Sequence, residues 1–113
     1  MNLVDGRLLR IFIGEQDRHE DEPLHQWLLS AAHGHGLAGG TVLRGLEGYG
    51  ADGRLHTARV LRLSTDLPLV VEFVDTADKI DAFLATVDPV LEVGLVTVEK
   101  VQMKLYGSGR EQA

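Results

Sequence analysis

The chain has no cysteine among its 113 residues, which excludes disulfide bonds, thiolate-bound zinc and a cysteine nucleophile. It has no apolar run near the ~20 residues that a membrane-spanning helix needs. Its first residues lack the basic and apolar regions of a signal peptide. We therefore expect a cytoplasmic protein that does not insert into a membrane. The length predicts a single domain, placed at residues 7–106, with residues 1–6 and 107–113 as flexible termini.

Positive charge is also scarce, because 11 Lys and Arg stand against 17 Asp and Glu, for a net charge of −6. This argues against non-specific nucleic-acid binding, which depends on Lys and Arg contacts to phosphates. The charge is uneven: residues 15–22 are mostly acidic, whereas residues 54–62 contain Arg54, Arg59 and Arg62 and no acid. Such a basic segment favours an anionic small molecule or a partner surface, and a solvated loop is the alternative.

Catalytic motifs are absent as well. The sequence contains no G-x-S-x-G, no H-E-x-x-H and no P-loop, which are the motifs of the common hydrolases and nucleotide hydrolases. The carboxylates of residues 15–22 lie on a hydrophilic connection where no apolar pocket is implied. We therefore predict a binding protein that is not an enzyme and that requires no cofactor.

Apolar periodicity predicts the secondary structure. Strands are expected over residues 9–13, 40–46, 59–63, 69–74 and 95–106. A helix is expected after Asp21, the predicted cap, with Pro23 in its first turn and Gly34 at its end. A second helix is expected after the cap Thr76 and is bent or ended by Pro89.

Two segments depart from regular patterns. Residues 45–53 contain four glycines in nine positions, which predicts a mobile or tightly turned loop instead of a strand. In the last strand the apolar residues change face near Glu99 and Lys100. Because side chains alternate along a strand, this change predicts a bulge, or a strand that leaves its sheet to pack on a neighbouring subunit.

The predicted order is β-α-β, a loop, and β-α-β. This is the ferredoxin-like βαββαβ arrangement of the α+β class, an antiparallel four-stranded sheet with two helices on one face. The opposite face of the sheet would be exposed in a monomer, and self-association would cover it.

The central region resembles the PII signalling proteins. The resemblance is carried by Thr41-Val42, Gly48-Tyr49-Gly50, His56-Thr57 and the run from Leu67-Pro68 to Val74. In PII proteins a glycine–aromatic–glycine step opens the long T-loop, and a Leu-Pro step begins the next strand. From Leu9 to Tyr106 the chain resembles more closely still an uncharacterised family of PII-like proteins, whose hallmarks appear here as Gly45, Gly48-Tyr49-Gly50, His56-Thr57, Leu67-Pro68 and Gly94-Leu95-Val96.

The resemblance implies a homotrimer with three ligand clefts between subunits. PII proteins bind adenine nucleotides in these clefts, and the ligand sets the conformation of the T-loop, here residues 51–66. A partner protein reads that conformation. Genes of the PII-like family often accompany small ion channels, so the resemblance implies a membrane transporter or channel as the partner.

Two departures from the PII pattern change the expected ligand. The PII turn before the last strand carries Gly-Asp-Gly-Lys, whereas residues 91–96 here keep one glycine and no lysine. AMP or ADP, or another small anion, is therefore expected over ATP. The sequence between Gly50 and Pro68 also contains no tyrosine, so the uridylylation known for PII is not expected.

The predicted ligand-binding residues come from the motifs and from nearby basic side chains. They are Arg44, Gly45, Gly48, Tyr49, Gly50, Arg54, His56, Thr57, Arg62, Gly94, Lys100 and Lys104. The glycines let backbone N–H groups approach a ligand, Tyr49 can stack on a base or cover a cleft, and the arginines suit phosphate. Arg54, Arg59 and Arg62 can equally pair with the acidic residues 15–22 of the same or a neighbouring subunit, and Tyr49 can equally be a core residue of a plain hairpin.

Two other hypotheses remain open at this point. A metal-responsive trimer resembling the copper-tolerance proteins of the CutA type would bind metal through His33, His35 or His56, although their spacing matches no standard zinc site, and we assign no metal ligand. A partner-docking module would have no small ligand at all.

Overall fold

Two helices and a four-stranded antiparallel sheet form the main layers of the chain. The structure, a computed structural model, describes residues 2–50, the backbone of 55–57, and residues 66–107. The elements are β1 (Val4–Gly14), β2 (Arg18–His19), β3 (Glu22–Pro23), α1 (Leu24–Gly34), β4 (Gly39–Arg44), β5 (Glu47–Tyr49), β6 (Leu55–Thr57), β7 (Pro68–Asp75), α2 (Ala77–Val87) and β8 (Leu95–Met103). The sheet order β4-β7-β1-β8 confirms the predicted ferredoxin-like α+β fold.

Alternate residues of the two central strands build the core, because successive side chains of a strand point to opposite faces. The helix-facing residues are Leu9, Ile11 and Ile13 in β1 and Leu69, Val71 and Phe73 in β7, none more than 7% exposed. The apolar stripes of both helices cover them. Phe73 meets Phe83 of α2 edge to face, with ring centroids 5.0 Å apart. The core therefore fixes which face of the sheet carries the helices.

The start of α1 differs from the prediction. α1 begins at Leu24, and its N-cap position is Pro23 without a side-chain cap bond, so the prediction of Asp21 as cap is wrong. Asp21 lies in the β2–β3 ribbon, where its carbonyl oxygen accepts a hydrogen bond from Arg18 at 2.6 Å. The Leu24 N–H donates to the carbonyl oxygen of Asp17 at 2.8 Å. Backbone pairing therefore satisfies the helix start in place of a side chain.

The start of α2 depends on a buried acid. Thr76 occupies the N-cap position, as predicted, but its side chain makes no cap bond. The carboxylate of Asp75 accepts hydrogen bonds from the N–H groups of Thr76 at 2.6 Å and Ala38 at 2.8 Å, and the residue is 3% exposed. Asp75 therefore ties the α1–β4 connection to the first turn of α2, and α2 ends at Val87, before Pro89.

The last strand contains no bulge, and it does not leave its sheet. β8 pairs with β1 in one unbroken antiparallel register from Leu95 to Met103. The predicted bulge and the predicted departure from the sheet are therefore wrong, whereas packing of β8 on a neighbouring subunit stays a prediction. The strand also ends earlier than predicted, because residues 104–106 are not part of it.

The end of β7 explains the face change instead. β7 ends opposite Arg7, so the β1–β8 pair continues past it as a two-stranded ribbon. Along this ribbon Lys100 and Gln102, on the helix side, are exposed, whereas Val101 and Met103 on the other side are half-buried. The more buried side chains of β8 therefore change from the helix side to the opposite side of the sheet at the point where β7 no longer lies beside the β1–β8 pair.

Other boundaries also shift. Residues 4–6, predicted to belong to a flexible terminus, pair with residues 101–103 at the start of β1. The strand predicted over 40–46 runs from Gly39 to Arg44. The strand predicted over 59–63 and the terminal residues 108–113 lie outside the described residues. In the part of the chain that the structure describes, no helix is long and apolar enough to cross a membrane.

The face of the sheet opposite the helices is largely apolar and uncovered in the single chain. Alternation and register place these apolar side chains on it: Leu8, Phe12, Leu43, Val70, Val74, Leu95, Val101 and Met103. Leu43 and Leu95 are 48% and 57% exposed. We call this surface the open sheet face.

One ion cluster crosses the middle of the open sheet face. Arg10 donates to the Glu72 carboxylate at 2.8 Å and also bonds Glu99. Hydrogen bonding to Glu72, together with the charge of Glu99, raises the pKa of Arg10. The charges of three strands are therefore paired with one another across an otherwise apolar surface.

Gly94 lies where β8 begins and has no alternative residue. Its φ of +115° is in a region that other residues rarely adopt, and a Cβ there would lie 2.7 Å from the carbonyl oxygen of Phe12. The end of β1 therefore requires glycine at this position.

Gly94→Ala is expected to lower the free energy of unfolding by roughly 2–3 kcal/mol, from backbone strain and the contact with Phe12. Urea unfolding measures this. Gly34→Ala is the matched control, because a Cβ at Gly34 would meet nothing within 4 Å, and it should change stability by less than about 1 kcal/mol. Equal effects of the two substitutions would contradict the assignment.

Candidate functional site

The candidate site begins where β4 ends and β7 begins. The Gly45 N–H donates to the carbonyl oxygen of Pro68 at 2.8 Å. A Cβ on Gly45 would lie 2.9 Å from the Pro68 ring, and one on Gly48 would lie 3.4 Å from it. These two glycines therefore pack against Pro68, which gives them a structural role in addition to the predicted contact with a ligand. We call Arg44, Gly45 and Pro68 the loop base.

The glycine-rich stretch forms a strand at its start, contrary to the prediction of a loop. β5 pairs with β6 in an antiparallel ribbon, in which Gly48 lies opposite His56 and Glu47 opposite Thr57. The lack of a side chain at Gly48 does not prevent pairing, because the ladder uses backbone groups. The ribbon brings the Gly48-Tyr49 step and the His56-Thr57 step together, as one site requires.

Tyr49 is 75% exposed, so the alternative of a core tyrosine is wrong. An exposed tyrosine offers a flat apolar ring with a polar tip, which suits stacking on a base. Gly50 follows it with open space around its Cα. This part of the ribbon is therefore accessible to a ligand or to another chain.

Arg44 makes an ion pair with Glu15. An ion pair with the acidic segment 15–22, predicted as an alternative for Arg54, Arg59 and Arg62, is thus made by a different arginine. Glu15 also joins the start of β7, because its N–H donates to the Leu67 carbonyl oxygen at 2.8 Å. Arg54, Arg59 and Arg62 lie outside the described residues.

The remaining predicted residues are not brought to this place within one chain. Gly94 lies at the same end of the sheet but beside β8, on the opposite edge from β4, about 14 Å away at the usual strand spacing. Lys100 is further along β8, about 17 Å from its start, and Lys104 lies beyond the strand, where its Nζ is 5.3 Å from the centre of the Tyr106 ring. One chain therefore holds the predicted residues in separate groups.

Two of the five histidines, His35 and His19, contact neighbouring side chains. His35 Nε2 is 3.0 Å from the Thr86 hydroxyl, and its ring meets Phe83 edge to face. His19 packs in the same way on Trp27. Among the described residues there is no group of three or more His, Asp or Glu side chains placed to hold a metal ion.

Two of the cavities on the surface of the described residues lie away from the loop base. The larger, about 570 Å³, lies between α1 and the first residues of β4, and its wall includes His33, Leu37 and Phe73. The smaller, about 230 Å³, lies between residues 17–20 and residues 90–93. Neither contains a predicted ligand-binding residue.

Sequence reasoning missed Glu15 and Pro68 as residues of the site. Pro68 was part of the motif that carried the resemblance, and its ring contact with Gly45 explains that motif. Glu15 belonged to the acidic segment, but nothing in the sequence singles it out from its acidic neighbours. Its partner Arg44 is separated from it by the whole of α1, so only the folded chain brings the pair together.

The chain matches the family model DUF190, described as "Uncharacterized ACR, COG1993", over residues 6–103. It belongs to this family. A UPF0166 protein of Aquifex aeolicus is 37% identical over 103 residues, which cover 91% of this chain and 97% of that protein. The UPF0166 protein MJ1524 of Methanocaldococcus jannaschii is 30% identical over 82 residues, which cover 73% and 75% of the two chains. The predicted membership of an uncharacterised PII-like family is confirmed.

Solved structures of PII-like proteins share the fold of this family member. CPII from Thiomonas intermedia K12, bound to ADP, AMP and bicarbonate, superposes with a TM-score of 0.70 at 18% identity, over 90% of this chain and 91% of CPII. The PII-like signalling protein TTHA0516 of Thermus thermophilus gives 0.66 at 16% identity, over 91% and 93%. CutA1 from Oryza sativa gives 0.55 at 15% identity, over 93% and 85%.

Gly45→Ala is expected to lower the free energy of unfolding by about 1–3 kcal/mol, because its Cβ would press on the Pro68 ring and strain the bond to the Pro68 carbonyl. Thermal unfolding measures the loss. Gly50→Ala, in open space, serves as the control and should stay within about 0.5 kcal/mol of the parent chain. A neutral Gly45→Ala would show that the loop base tolerates a Cβ and is not held by this contact.

Proposed function

We propose that the protein is a PII-like regulatory protein of the cytoplasm that senses an adenine nucleotide by binding it, without catalysis. The observation that carries the proposal is the shared fold with CPII, which is bound to ADP and AMP. The nucleotide would bind in clefts between subunits of a homotrimer. Residues 51–66 would transmit the bound state to a partner such as a membrane transporter or channel, which is the partner that the family resemblance implies.

A cleft between subunits agrees with the separation of the predicted residues. The loop base and the β5–β6 ribbon lie at one edge of the sheet, whereas Gly94 and Lys100 lie along β8 at the other edge. Side chains that are too far apart within one chain to contact the same ligand can line one cleft when the β4 edge of one sheet meets the β8 edge of another. Arg54, Arg62 and Lys104 are proposed as further sources of positive charge for this cleft.

The open sheet face supports the homotrimer. A contiguous apolar surface on a small soluble domain commonly marks an interface. In a symmetric oligomer the same face of each subunit would be buried, and the Arg10 cluster with it. Arg10 is already paired with Glu72 and Glu99, but one guanidinium against two carboxylates leaves a net negative charge, so burial of the cluster would require a cation from a neighbouring subunit.

A nucleotide with one or two phosphates is favoured over ATP. The connection between α2 and β8 contains no lysine, and its one glycine, Gly94, is required by the contact with Phe12. That connection therefore lacks the side chain that would meet a third phosphate. Arg44 offers a guanidinium suited to one phosphate group, and Tyr49 offers a ring suited to the base.

Isothermal titration calorimetry with AMP, ADP and ATP tests the ligand. Binding of AMP or ADP with a higher affinity than ATP is expected. Tyr49→Ala should weaken this binding by about 1–2 kcal/mol, or roughly 5- to 30-fold, if the ring stacks on adenine.

Gln26→Ala is the control, because this side chain is exposed on α1, away from the loop base, the β5–β6 ribbon and Lys104. It should bind nucleotide as the parent chain does. The absence of heat and of any thermal shift with every adenine nucleotide would refute the nucleotide proposal. Equal losses in the two variants would refute the role of Tyr49.

Leu95→Glu tests the oligomer. Native mass spectrometry of the parent chain should give three times the chain mass of 12.4 kDa. The substitution places a charge on the open sheet face and should shift the population to monomer, because an unpaired carboxylate is costly to bury. Leu46→Glu, at a residue that is 89% exposed and outside the sheet, should remain trimeric. A monomeric parent chain would contradict the proposal.

The CutA-type hypothesis is favoured only by the shared fold with CutA1, and it is our second candidate. It predicts that Cu²⁺ raises the melting temperature and that His33→Ala or His35→Ala removes this effect. A docking module without a small ligand would respond to neither nucleotide nor metal. The nucleotide titrations together with the melting temperature in the presence of Cu²⁺ therefore separate the three functions.

A further inference from the structure

Glu15 holds two segments that flank the candidate site. Its carboxylate pairs with the guanidinium of Arg44 through one oxygen, and the other oxygen lies 3.5 Å from the Leu67 nitrogen. The backbone of Glu15 is bonded to Leu67 independently of the side chain, because the Glu15 N–H donates to the Leu67 carbonyl oxygen at 2.8 Å. The next N–H, of Gln16, donates to the Asp66 carboxylate at 3.1 Å. Glu15 is therefore fixed in position.

The two partners of this ion pair differ in exposure. The Arg44 side chain is 62% exposed, whereas that of Glu15 is 19% exposed. The guanidinium can therefore reach a ligand from the solvent side, and the carboxylate cannot move far from Leu67. An ion pair with an exposed partner contributes little to stability, about 0.2–1 kcal/mol, so a phosphate that offers a bidentate contact can replace the carboxylate.

We propose that Glu15 is an internal competitor for the anion-binding side chain Arg44, occupying it in the ligand-free chain and being displaced by a phosphate group. The proposal rests on the proposed function for the identity of the nucleotide, and it adds a positioning residue that sets the affinity. Glu15 does not touch the ligand. When Arg44 turns to the phosphate, Glu15 keeps its place beside Leu67 but loses its countercharge.

Two consequences follow for binding. The energy needed to separate Arg44 from Glu15 lowers the affinity for every anion that uses Arg44. Because the Glu15 carboxylate lies beside Leu67, the loss of its countercharge changes the electrostatic environment of this residue, which immediately precedes β7. Ligand binding at Arg44 is therefore linked to the start of that strand. Ligand binding can therefore change the loop base without any movement of the core.

Glu15→Gln tests the competition, since glutamine keeps the size of the side chain and an oxygen that can accept from Leu67. We expect ADP and inorganic pyrophosphate, titrated separately at low ionic strength, to bind the variant about 2- to 5-fold more tightly than the parent chain. Arg44→Gln should weaken both. In the double variant the gain from Glu15→Gln should vanish, because there is no guanidinium left to release.

Glu22→Gln is the matched control, since it removes one negative charge from the same acidic segment at an exposed residue of β3 and should leave both affinities unchanged. An equal gain in this control would overturn the proposal in favour of general repulsion. Unchanged or weaker binding by Glu15→Gln, with a melting temperature within a few degrees of the parent chain, would also overturn it.

The two anions separate this proposal from the proposed function. Pyrophosphate that binds Glu15→Gln more tightly through Arg44, while no adenine nucleotide binds, would refute the nucleotide and leave the competition intact. ADP that binds all variants equally would refute the competition and leave the nucleotide intact. Failure of every variant to bind either anion would refute both.

Discussion

The packing of β1 and β7 against the two helices determines the rest of the structure. These central strands bury alternate residues on one side, and a shift by one residue in either strand would place its apolar set on the wrong face. Once this register is fixed, the ends of both strands are fixed as well. Gly14 then lies opposite Pro68, and β4 ends beside them. The loop base is thus a consequence of how the core packs.

The elements with strong periodicity could be predicted from the sequence, and those without it could not. The two helices and the central strands could be predicted because the spacing of apolar residues indicates each of them, and this spacing can be seen within a short stretch of sequence. The start of β1, Val4-Asp5-Gly6, was missed because three residues with one polar side chain and a glycine show no alternation, and they are paired only with β8. The bulge expected near Glu99 was wrong because alternation shows a change of face but not its cause, which is the end of β7.

The candidate site was only partly predictable for a related reason. The motif residues Gly45, Gly48 and His56 lie close together, as the resemblance implies, but contacts such as Gly45 with Pro68 depend on two strand ends meeting. The pairing of Arg44 with Glu15 required the fold, because many acidic residues were equally plausible partners. Lys100 and Lys104 lie away from this group in one chain, since β8 occupies the opposite edge of the sheet.

The hydrogen bond between Gly45 and Pro68 has a consequence for how such a domain can change. The chain leaves the sheet at the end of β4 and returns at the start of β7. These two strand ends are neighbours, so the ends of the segment between them are held close together. The entropic cost of closing such a segment rises slowly with its length, by about 0.6 kcal/mol for each doubling. The length and the sequence of this segment can therefore change at little cost while the register of the sheet stays the same.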